Sequence, residues 1–133
     1  MSATNWARNQ MLDGAFGGQT FTAPTNYYIG LSTTSISTSG SNASEPVGAS
    51  YARVQIPNSK SYFSWAISGS LINITDIAFA ESSGSWGTIT DIGLWSASTS
   101  GSIWYYTTLA VPKVVQDTTI VSFSASSITI SQS

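Results

Sequence analysis

Two runs of β-branched and aromatic residues, Thr88 to Trp95 and Ile103 to Thr108, flank a spacer of small residues at 96–102. Few folds can accommodate this stretch. In the first run Ile89, Asp91, Gly93 and Trp95 alternate with Thr90, Ile92 and Leu94, the period of two that a strand imposes. In the second, Ile103, Tyr105, Thr107 and Leu109 alternate with Trp104, Tyr106 and Thr108, so both faces carry bulk. A hairpin heavy on both faces is expected to be covered on both. Its spacer exceeds a two-residue turn and reads as a surface loop around Gly101.

The rest of the chain repeats this grammar in shorter runs. Strands are expected at Asn26 to Thr33, Ala52 to Ile56, Tyr62 to Ala66, and Leu71 to Phe79 with an interruption near Asp76. Val111-Pro112-Lys113 marks an edge or a kink, because proline cannot donate to a ladder. Thr118 to Ser124 and Ser127 to Ser131 then read as a closing pair about a tight turn at Ala125-Ser126. Only residues 4–14 carry helix signals: Thr4 or Ser2 to cap, a stripe of Ala7, Met11 and Leu12, and Gly14 to end it. The expected fold is an all-β antiparallel β-sandwich with a short N-terminal helix, one domain over 1–133 with a helical arm at 1–20. Residues 34–50 form a polar loop far longer than the usual connection of about four to six residues, and such loops are either mobile or used.

Composition removes whole classes of function. Charged residues make up 8% of the chain, and cysteine and histidine are absent, which takes away thiol chemistry, the commonest general base and the commonest metal ligand. Arg8, Arg53, Lys60 and Lys113 are scattered and the net charge is −2, so no basic patch invites nucleic acid. No apolar run approaches the roughly 20 residues of a membrane span, and MSATNWARNQ lacks the apolar core of a signal peptide, so cytoplasmic synthesis is expected. The sequons at Asn42 and Asn73 are then chance matches.

Of the six carboxylates, Asp76 with Glu81 or Asp91 is the pair open to a glycosidase reading, yet nothing selects it, and Asp76 and Asp117 read as turn-bonding residues. No catalytic residue, metal site or cofactor is expected. The tryptophans divide: Trp95 and Trp104 read as core, Trp86 between glycines as partly exposed, and Trp6, with Arg8 and Met11 beside it, as a partner contact. Aromatics amid abundant Ser, Thr and Asn also suit a free carbohydrate-binding module.

The ordered string NWARNQMLDGAFGG, YYIGLSTT, EPVGASYARVQIPNS, GSWGTITDIGLW and GSIWYYTTLAVPKVV resembles a family of small tailed-phage virion proteins. Members are often labelled tail fibre proteins and are similar to some capsid decoration, or cement, proteins. The resemblance spans nearly the whole chain and implies a jelly-roll-like sandwich with a structural role in the virion. Tyr51 and Arg53 match the family's Tyr-x-Arg, and on a strand the two share a face; Arg53 is expected to fix the long loop through its carbonyls or Glu45. Ser96, Gln116-Asp117 and Ala125-Ser126 depart from the family's turn residues. The leading expectation is a homotrimer on the capsid exterior, bound to the major capsid protein where capsomers meet. The alternative is a tail fibre or tail-tip subunit that contacts other tail proteins or a host glycan.

Overall fold

A computed structural model describes residues 1–132 of the 133. The element order is β1 (Ser2–Ala3), α1 (Asn5–Phe16), β2 (Asn26–Ser32), β3 (Val54–Pro57), β4 (Ser70–Ile72), β5 (Ile77–Ala78), β6 (Gly87–Trp95), β7 (Ile103–Val115), β8 (Ser122–Phe123) and β9 (Thr129–Ser131). All ladders are antiparallel, and the fold is all-β and sandwich-like with one short helix. The main sheet has the order β1-β7-β6-β2-β3, and β4-β9 and β5-β8 form two small ribbons. The hairpin β6–β7 lies inside the main sheet, as its two heavy faces require.

Register fixes those faces. Ile29 pairs with Leu94 and Leu31 with Ile92, so these four point the same way, into a core completed by Phe63, Ile77, Phe79, Val121 and Ile128. Tyr28 with Trp95 and Gly30 with Gly93 point to the opposite face, where Ile36 of the long loop and Ile103 close a smaller cluster over Trp95. Ala3, Ala7 and Trp104 form a third cluster that seats the helix. Trp95 and Trp104 are buried. Trp86, expected partly exposed, is 3% exposed: its indole Nε1 donates to the Ala49 carbonyl at 2.9 Å and its ring meets Tyr51 and Phe79 edge-on.

The helix is longer than its sequence signals. Thr4 caps it, the hydroxyl accepting from Ala7 N, while Asn5 N donates to the Thr38 carbonyl. Gly14 lies inside rather than at the end, where a Cβ would come within 2.9 Å of Phe21 Cβ, and Gly17 closes the helix by donating to the Asp13 carbonyl. Residues 62–66 form no strand, making only a single bridge, Phe63 to Asn73. Strand β7 runs on to Val115, and the proline falls where its ladder to β6 is broken, between Thr108 and Lys113.

The expected closing pair does not exist. Strand β8 pairs with β5 and β9 with β4; the tight turn at Ala125-Ser126 is present, closed by Ser127 N donating to the Ser124 carbonyl at 3.1 Å, and it is pinned from outside by Asn73, 1% exposed. Its Nδ2 donates to the carbonyls of Ser124 (3.0 Å) and Thr75 (3.1 Å), and its Oδ1 accepts from Ile128 N at 2.9 Å. Asp76 likewise bonds this distant turn rather than its own, accepting from Ala125 N at 2.7 Å.

Core burial also sets a pH limit. Burial pushes the Tyr27 phenol up to about 12, and the neighbouring Tyr105, itself raised by burial, adds to the shift. The folded pKa lies above the unfolded value of about 10, so this contribution to stability is intact below pH 10 and is lost as pH rises through 12. Denaturant midpoints should therefore hold steady to about pH 10 and then fall, and Tyr27→Phe should flatten the fall.

Candidate functional site

The non-core face of the main sheet carries a cleft of about 510 Å³ between the long loop and the hairpin loop. Its floor begins with two glycines. Gly30 of β2 and Gly93 of β6 sit side by side, and a Cβ on either would come within 2.7 and 2.8 Å of Trp95 Cζ3. The indole lies in the space these missing side chains leave. The Arg53 guanidinium covers the ring, 4.3 Å from its centroid, a stacked cation–π contact. Gly30→Ala should cost about 1–3 kcal/mol of stability, read from urea unfolding, because both Trp95 and Glu45 Oε1, 2.9 Å from the added carbon, must yield.

Arg53 ties three segments together. Its Nε and Nη2 donate to Glu45 Oε1 and Oε2 at 2.9 and 2.7 Å, a bidentate pair reaching into the long loop. Nη1 donates to the carbonyls of Ala97 and Ser100, both at 2.7 Å, in the hairpin loop. The Arg53 side chain is 6% exposed and Glu45 25%. Tyr51 Oη donates to Glu45 Oε1 at 2.7 Å and accepts from Leu31 N, a strand donor beyond the reach of β3. Burial pushes this phenol well above its ordinary range, and the Glu45 carboxylate raises it further.

The long loop is fastened along its length. Thr33 N donates to the Ser44 carbonyl, Ser44 N to Ser32 Oγ, and Ile36 N to Asp91 Oδ2. Asp91, one of the carboxylates open to a hydrolase reading, is fully buried and also accepts from Thr108 Oγ1. Beyond these ties the loop turns outward, and the hydroxyls of Ser37, Ser39 and Ser41 form a triangle with sides of 2.8 to 2.9 Å.

Trp6 stands at the rim, 47% exposed, so the structure brings Trp6 to the same cleft as Arg53 and Glu45. Arg8 and Met11 do not join it. Arg8 bonds Asn5 Oδ1 of its own helix turn, and Met11 packs toward Trp104 and Tyr105. Gly30, Gly93 and residues 100–102 escaped the sequence reading as site residues. The signal was an isolated glycine inside each of two strand patterns, YYIGL and DIGLW, which marks a close approach of another group. Among the described residues no cluster of His, Cys, Asp and Glu could hold a metal ion, and no helix is long and apolar enough to cross a membrane.

Residues 2–131 match the family model described as Podophage GP4 fiber I protein gp80. No curated protein matches the chain.

Proposed function

The chain belongs to the podophage GP4 fiber I protein gp80 family, a phage virion structural family, and we propose that it serves as a subunit of a fibre on the particle. The family match over residues 2–131 carries this reading. It favours the fibre over the capsid decoration expected as the first choice from sequence. A fibre subunit works by packing against other copies or other virion proteins, without catalysis. The surface suits this role: Trp65 and Ile67, 76% and 77% exposed, project near the Ser68-Gly69 turn, and Leu12, Phe16 and Phe21 are exposed around the end of the helix. Exposed aromatic side chains with few charges among them are what the core of a protein interface is enriched in.

Immunogold labelling of intact particles tests it. Gold on fibres at the tail or neck is the expected result. Gold spread evenly over the heads would overturn the fibre reading in favour of capsid decoration, and a stained gel would then show copies in proportion to the capsid protein.

A further inference from the structure

The geometry points to the cleft between the long loop and the hairpin loop as a binding site for a neutral saccharide. Its volume of about 510 Å³ is within the range of small-ligand sites, roughly 300–1,000 Å³. The lining is the argument. Ser39, Ser41, Asn42, Ser100 and Ser102 supply hydroxyl and amide groups, and Trp6 supplies an aromatic face at the rim.

Each part matches a feature of a pyranose. In the triangle of Ser37, Ser39 and Ser41 each hydroxyl can give its one proton to a neighbour, which leaves acceptor lone pairs for a ligand's O–H groups. At the floor, one N–H of Arg53 Nη2 is unengaged and Glu45 Oε2 accepts only from Arg53. A free donor beside a free acceptor is what two adjacent hydroxyls of a sugar complete. The C–H groups on one face of a pyranose ring are weakly positive and stack on the negative face of an indole, the role available to Trp6.

Charge makes the ligand neutral. Among the described residues Arg53 and Glu45 are the only ionisable side chains lining the cleft, and they are already paired with each other. A phosphate or carboxylate would meet Glu45 with no uncommitted cation to receive it. An apolar ligand would strip water from the serine hydroxyls and return nothing. The floor is also built before any ligand arrives, because Trp95, Gly30 and Gly93 hold Arg53 in place.

Saturation-transfer NMR on the full chain tests this, with glucose, galactose, mannose, N-acetylglucosamine and their disaccharides as probes and glucuronic acid as the charged comparison. Transfer from at least one neutral sugar is expected. Trp6→Ala should weaken it about tenfold and Ser41→Ala should weaken it measurably, while Trp65→Ala, which removes the other strongly exposed tryptophan, should leave it unchanged. Both tryptophans are on the surface, so both variants should fold, as their amide spectra will show. The assignment is overturned if no sugar gives transfer, if only glucuronic acid does, or if Trp65→Ala rather than Trp6→Ala removes the signal. The outcome is independent of where gold falls on the particle: a fibre subunit with an empty cleft would keep its structural role.

Discussion

Trp95→Ala is expected to lower the free energy of unfolding by about 3–5 kcal/mol, the usual range for deleting a buried tryptophan. The reason for placing it at the upper end is local. The two glycines beneath the indole offer no side chain that could swing into the void. Main-chain atoms of two central strands would have to move, and the ladder between Gly30 and Gly93 resists that. Above the ring, Arg53 would lose its stacked surface while keeping its charge pair with Glu45. Urea unfolding followed by far-ultraviolet circular dichroism measures the loss. A change under about 1 kcal/mol would show that the ring is not packed as described.

Asn73→Ala should be nearly as damaging, at roughly 2–4 kcal/mol, although it removes only a carboxamide. The side chain makes three hydrogen bonds to main-chain groups, two of them across to the 124–128 turn, and alanine would leave the Ile128 N–H and the Ser124 carbonyl without that partner. Water cannot easily replace it at a position 1% exposed. The damage should also be directional. Strands β8 and β9 flank this turn, so hydrogen exchange should accelerate first at 121–131 and only later in β2 and β6. Uniform acceleration across the molecule would contradict the pinning role.

These two residues also show what a sequence does and does not disclose. The hairpin around Trp95 was legible because period two over consecutive residues is a local signal, and its two heavy faces required burial on both sides. The pair Arg53 and Glu45 was legible as a short-range guess, eight residues apart on a loop and the strand that follows it. Trp86 misled, because flanking glycines suggest exposure, while its cover comes from Ala49, Tyr51 and Phe79. The closing strands misled in the same way: adjacency favoured pairing β8 with β9, but an asparagine some fifty residues earlier bonds both ends of the turn, and each strand pairs with a distant partner. In the cleft, Trp6 and Arg53 were each singled out, but their convergence depends on the helix start being tied to Thr38.

The pairing of β1 with β7 and of β9 with β4 has a consequence for the order of folding. Ser2 lies opposite Tyr106, Ser131 lies opposite Ser70, and Ser131 N donates to the Met1 carbonyl. Each contact closes a long stretch of chain, and such topologies fold slowly, on the order of milliseconds to seconds. In folding, β1 must wait for β7 and β4 for β9, so the part of the core that Val121 and Ile128 complete stays open until segment 121–131 has docked. A chain in which segment 121–131 has not yet docked is therefore the species most open to aggregation.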